Sequence, residues 1–217
     1  MTDLADLYPV LGLRITAGPL ELRGARDEDL AALVDVALRG VHEPERMPFA
    51  FPWTDAPAEE LPRRFAQYHW GGRVSFTPVE WTLDLVASWD GVIVGTQGVM
   101  TRDYLVTRQA ETGSWLGREF QGRGIGTAMR RAICAFLFDS LDAQLLNSGA
   151  FTDNPASMAV SRKVGYQPNG TRRIARRPGE YGTLRQLILT PETFVRGEPI
   201  TVEGLAPVRR LVGLDAE

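Results

Sequence analysis

Arg118-Glu119-Phe120-Gln121-Gly122-Arg123-Gly124-Ile125-Gly126-Thr127 is the stretch on which the reading of this chain turns. Before it lies Gly113-Ser114-Trp115-Leu116, a short strand. After it the apolar positions Ile125, Met129, Ile133, Phe136 and Leu137 recur at spacings of three and four, the mark of an amphipathic helix. A glycine-rich turn between a strand and a helix has the physics of an anion site. Glycines at 122, 124 and 126 let backbone approach a phosphate without side-chain obstruction, and the N–H groups of the first helical turn face the ligand. Arg118 and Arg123 add charge-assisted contacts to a pyrophosphate, and Thr127 adds a hydroxyl. Arg130 and Arg131 enlarge the local positive excess, which only Glu119 opposes.

Glycine also closes ordinary strand-to-helix connections, so context has to separate the specific readings. A P-loop needs Gly-Lys followed by Ser or Thr, which the turn lacks. A dinucleotide fingerprint needs glycine where Thr127 stands and belongs in an early parallel strand unit. Here an antiparallel hairpin precedes the turn: Trp81, Leu83 and Leu85 alternate with Thr82 and Asp84, and Val92-Ile93-Val94 follows the turn Asp90-Gly91.

Further out, Leu20 to Arg23 reads as a first strand and Asp27-Glu28-Asp29 opens a helix to about Leu38. Gly40 to Pro57 is a proline-rich loop carrying Phe49, Phe51 and Trp53, and Ala58 to Trp70 returns to helical spacing. Thr101 to Ala110 reads as a variable stretch. Leu145 to Phe151 is a strand, Asp153-Asn154-Pro155 starts a helix with a cap and a proline, and Gly165 ends it. Arg172 to Ala175 and Leu184 to Leu189 form a closing hairpin around Pro178-Gly179-Glu180. These elements predict a mixed α/β (α+β) fold with a mostly antiparallel central sheet flanked by helices: one domain over 1–190 and a C-terminal extension over 191–217 that packs on the domain or on a partner subunit.

Gln121, Gly124 and Gly126 occupy the pattern Gln-x-x-Gly-x-Gly, which resembles the pyrophosphate-binding signature of GNAT acyltransferases. Ser114-Trp115-Leu116-Gly117 is similar to the strand before that signature, and Asp153-Asn154-Pro155-Ala156-Ser157 with Val164-Gly165-Tyr166 to the strand-helix unit after it. The resemblance covers about residues 20–190 and implies a coenzyme A site formed by Ser114, Trp115, Leu116, Arg118, Gln121, Gly122, Arg123, Gly124, Ile125, Gly126, Thr127, Asn154 and Ser157. It implies transfer of an acyl group to a primary amine of a small molecule or a peptide by direct attack on a thioester. Asn154 and Ser157 resemble the RimJ/RimL-like branch, in which Ser157 as the catalytic group would meet the coenzyme sulfur. The stretch from Gly40 to Phe49 is similar to a mycobacterial subgroup thought to use succinyl-CoA, so the donor is acetyl-CoA or succinyl-CoA.

The residues also carry plainer readings. Asn154 is a good helix cap, Ser157 an ordinary first-turn serine, and Phe49, Phe51 and Trp53 either line an acceptor wall or pack the loop down. Glu43, Glu80 and Asp84 are candidates for the proton acceptor, as is His42 by its ordinary pKa. Arg172, Arg173, Arg176 and Arg177 are a solvated hairpin face or a contact for an anionic partner. A coenzyme A-binding regulatory module without transfer is the alternative to an enzyme, and Ile200, Val202, Leu211 and Val212 leave room for a homo-oligomer.

The 217 residues have a net charge of -3 and a single cysteine, Cys134, inside a helical apolar pattern. This argues against a disulfide framework and a zinc site. With no nucleic-acid motif, no run of about 18 apolar residues and an N-terminus holding Asp3 and Asp6, the expectations are no nucleic-acid partner, no membrane and a cytoplasmic protein.

Overall fold

Asp90 and Gly91 both adopt positive φ, 49° and 79°, the geometry that matches a two-residue turn to the twist of its strands. The computed structural model describes residues 2–215, and this turn joins its two longest central strands, β3 (Glu80–Trp89) and β4 (Val92–Arg102). Around them nine strands form one sheet in the order β7-β8-β6-β5-β4-β3-β2-β1-β9. The others are β1 (Arg14–Ala17), β2 (Leu20–Gly24), β5 (Gln109–Leu116), β6 (Leu145–Phe151), β7 (Gln167–Arg177), β8 (Glu180–Leu189) and β9 (Thr201–Glu203). Every pairing is antiparallel except that of β5 with β6. The mostly antiparallel mixed fold read from the sequence is the fold observed.

The helices are α1 (Leu4–Leu7), α2 (Asp27–Leu38), α3 (Leu61–Val74), α4 (Tyr104–Thr107), α5 (Ile125–Ser140), α6 (Pro155–Val164) and α7 (Leu205–Leu211). Trp81, Leu83 and Leu85 point to one face of the sheet and share a core with Met129, Ile133, Phe136 and Leu137 of α5. Val86 points to the other face and packs with Leu30, Leu33 and Phe65 of α2 and α3. This alternation along β3 sorts the helices into two layers.

Several boundaries differ from the sequence reading. β1 was not expected, because a four-residue strand gains its order from β2 on one side and β9 on the other. Helix α3 starts three residues later than Ala58, with Pro62 in its first turn, and runs through Gly71 and Gly72, where packing on β3 overrides propensity. The stretch Thr101 to Ala110 is the end of β4, the short α4 and the start of β5; it is anchored by the fully buried Tyr104, whose hydroxyl donates to the Leu141 carbonyl at 2.9 Å. After Pro191 the chain adds β9 and α7, and Val208 and Val212 sit in the main core.

Candidate coenzyme site

β5 and β6 pair only from Gln109, Ala110 and Glu111 to Leu145, Leu146 and Asn147. Beyond these residues the parallel strands separate, and α5 and α6 flank the resulting gap. A cleft of about 600 Å³ opens there. Ser114, Trp115 and Leu116 of β5 form one wall, Asn154 and Ser157 of α6 another, and Gln121, Gly122, Gly124, Gly126 and Thr127 the mouth.

At the mouth, Gly122 and Gly124 have φ of 75° and 85°, and a Cβ at either would meet nothing within 4 Å. Glycine is therefore required by backbone conformation and not by space. Thr127 N–H and Ala128 N–H donate to the Gly124 carbonyl, whereas the N–H groups of Gly122 through Gly126 have no acceptor among the described residues. Five neighbouring donors at the start of a sixteen-residue helix are a candidate site for an anion.

The side chains expected to bind divide into groups. The Gln121 amide donates to the carbonyls of Val41 at 2.7 Å and Leu116 at 2.9 Å, so it shapes the turn. Arg118 lines the cleft but pairs with Glu43 at 3.0 Å in an exposed bridge of the weak, exchangeable kind. Arg123 is exposed and does not line the cleft, and Ile125 is buried in the core, which leaves it only its backbone for a ligand. Asn154 is the cap of α6, its Oδ1 accepting from Ser157 N–H at 3.1 Å. The Ser157 hydroxyl lines the cleft without a hydrogen-bond partner among the described residues.

Arg130 is the residue whose position sequence reasoning missed. It is only 5% exposed and lies at the bottom of the cleft. Nη1 donates to Ser148 Oγ at 2.9 Å and Nη2 to Ser114 Oγ at 3.2 Å, linking β6 and β5 where their backbones no longer meet. Its Nε has no partner, and no carboxylate pairs with it among the described residues. The available signal was its spacing: Arg130 falls in line with Ile133 and Leu137 on the inward face of α5. Tyr166, by contrast, is buried beneath the cleft against Thr112 Oγ1 at 2.7 Å, and burial pushes its phenol far up.

Opposite the turn, the loop from Val41 to Ala56 is fastened across the cleft. Arg177 at the tip of β7 makes a bidentate pair with Asp55 at 2.7 and 2.9 Å and donates to the Pro44 carbonyl. His42 Nδ1 donates to the Glu43 carbonyl at 2.8 Å, and its Nε2 lies 2.6 Å from Thr54 Oγ1, so it staples the loop. Phe49 and Trp53 join Phe65 and Trp115 in an aromatic cluster, while Phe51 is exposed. Within the basic run, Arg176 pairs with Asp153 and Glu180, and Arg173 stacks on Tyr181 at 3.8 Å. Of the three candidate carboxylates, Glu43 and Glu80 are exposed and paired with Arg118 and Arg102. Asp84 is mostly buried, and burial pushes its carboxyl up to about 6.

The family model for the acetyltransferase (GNAT) domain matches residues 19–167. The chain belongs to the GNAT family. Over 85 residues this GNAT chain is 33% identical to the "Putative ribosomal N-acetyltransferase YdaF" of Bacillus subtilis (strain 168), a match covering 39% of the chain and 46% of that relative. The matched segment thus spans less than half of the relative's length. Among solved structures it is similar to Mycobacterium smegmatis RimJ in complex with CoA-disulfide, with a TM-score of 0.68 and 22% identity over 83% of this chain and 86% of that one. It is also similar to the Salmonella typhimurium acetyl transferase described as modifying the N-terminal serine of ribosomal protein L7/L12, with a TM-score of 0.62 and 17% identity over 79% and 95% of the two chains. At these identities the two structures establish that the GNAT fold is shared. Among the described residues of this GNAT domain no helix is long and apolar enough to cross a membrane, and no cluster of His, Cys, Asp and Glu could hold a metal ion.

Proposed function

We propose that this chain is an acyl-CoA-dependent N-acyltransferase that acts on a primary amine. The observation that carries the reading is the strand separation between β5 and β6, with five free N–H groups at its mouth. Those donors suit the pyrophosphate of coenzyme A, and the unpaired edge of β5 at Ser114, Trp115 and Leu116 suits the amides of the pantetheine arm. The acyl thioester supplies the activated carbonyl, and the chain's contribution is to hold it, polarise it and manage protons. Ser157 has the free hydroxyl on the cleft wall that could protonate the leaving sulfur.

Arg130 bears on the donor. A buried guanidinium without a counter-charge among the described residues is costly, whereas the arm of coenzyme A is uncharged. A donor whose acyl group ends in a carboxylate, as succinyl does, would provide the missing anion; acetyl would not. For the acceptor, likeness to proteins whose names refer to ribosomal substrates favours the N-terminal amine of a protein over a free small amine.

Incubation with acetyl-CoA and succinyl-CoA in separate series, following free thiol against serine-initiated peptides and simple amines, tests all three points. Coenzyme binding without thiol release for any amine would leave a regulatory module as the reading. Faster release from acetyl-CoA would remove the role given to Arg130.

A further inference from the structure

Asp84, Gly98 and Gly113 stand in one row across three strands. Asp84 of β3 is in register with Gly98 of β4, and Gly98 with Gly113 of β5. All three face the α3 side of the sheet, opposite Arg130 and α5. The two glycines leave a strip of sheet without side chains that runs from the carboxylate to Gly113, the residue before Ser114 of the cleft wall. A Cβ at Gly98 would lie 3.7 Å from Asp84 Oδ1 and 3.6 Å from the Gly113 carbonyl oxygen, so the carboxylate overhangs the strip and faces β5 across Gly98. On the other side Gly72 of α3 keeps space open, since a Cβ there would lie 3.4 Å from Oδ2.

Among the described residues no arginine or lysine pairs with the carboxylate. His69 Nδ1 lies 3.8 Å away without a hydrogen bond, and burial holds His69 down at about 4, so it is neutral near pH 7. Tyr8, pushed up to about 12, and Tyr68, also about 12, remain neutral as well. Arg73 is bound to Asp27 and to the Ala25 carbonyl and lowers Asp84 only in part. Beside the carboxylate a cavity of about 20 Å³, bordered by Tyr8, His69, Arg73 and Thr82, has room for one water.

We infer that Asp84 is the proton acceptor for the incoming amine, reached through water along the side-chain-free row of Gly98 and Gly113. This rests on the transfer reading above. An ammonium acceptor gives one proton through water to the Asp84 carboxylate; the neutral amine then forms the C–N bond as the C–S bond breaks. The nitrogen's surplus proton leaves with the sulfur as free thiol, and Asp84 returns its own proton to solvent. Amide, thiol and one proton are the products. Neither Glu43 nor Glu80 has this placement, because both are exposed and paired with arginines.

The test is the pH dependence of kcat at saturating succinyl-CoA or acetyl-CoA and saturating amine, the amine being the best of the peptide and small-amine panel. The wild type is expected to lose activity in acid with an inflection near 6. Asp84→Asn should lose about 10²-fold or more in kcat, lose that inflection and keep its coenzyme affinity. Gly98→Ala places a methyl in the passage and should lower kcat while the inflection stays. An Asp84→Asn enzyme with the wild-type profile would overturn the assignment alone. No thiol release by the wild type with any amine would overturn the transfer reading, and this proposal with it.

Discussion

The position of Asp84 makes a thermodynamic prediction independent of catalysis. Its folded carboxyl titrates at about 6 against an ordinary value of 3.8, chiefly because burial penalises the charge. Its side chain is only 15% exposed, so little of that penalty is relieved by solvent. The folded state holds the proton more tightly than the unfolded chain does. Below the ordinary value the group is neutral in both states and costs nothing; as pH rises through 6 the folded state must bear a buried charge. At about 1.4 kcal/mol per unit, the cost at pH 7.5 is on the order of 3 kcal/mol, and about half of that at pH 5. Asp84→Asn removes the charge without changing shape. Urea unfolding of the two proteins should show the variant more stable by about 3 kcal/mol at pH 7.5, the advantage shrinking toward acid. An equal or lower stability of the variant at pH 7.5 would refute the claim that the carboxylate is buried at a cost. A gain in stability coupled to a loss of turnover is the pattern expected of a residue kept for its chemistry.

Two other substitutions probe the cleft. Ser157→Ala should lower turnover much more than coenzyme affinity, measured by steady-state rates alongside calorimetric binding, whereas Asn154→Ala should cost about 1 kcal/mol of unfolding free energy through loss of the α6 cap. Arg177→Ala frees the loop at Asp55 and Pro44 and should raise the KM for the amine by up to about fivefold, the value of a good exposed bidentate pair, with coenzyme affinity unchanged.

Much of the coenzyme end could be read from the sequence because its determinants are local. Positive φ at Gly122 and Gly124, the three-and-four spacing of α5, the Asn154 cap and the Gly165 stop each act within a few residues of themselves. Where order comes from distant partners the reading was shorter than the structure. β1 depends on residues 201–203, and β7 and β8 extend well past the segments expected because each supports the other. The basic run 172–177 showed no role until Asp153, Asp55 and Tyr181 came beside it.

The sequence by itself determined that a strand, a glycine turn and an amphipathic helix would follow one another, since backbone conformation and periodicity are properties of neighbouring residues. Only the tertiary structure decided what surrounds that turn. The short parallel pairing of β5 and β6 opens the cleft, Arg130 is buried beside serines from both strands, and Asp84, unlike the exposed Glu43 and Glu80, is mostly buried in a row with two glycines. Burial and register arise between segments far apart in the chain, so no local pattern of residues reveals them.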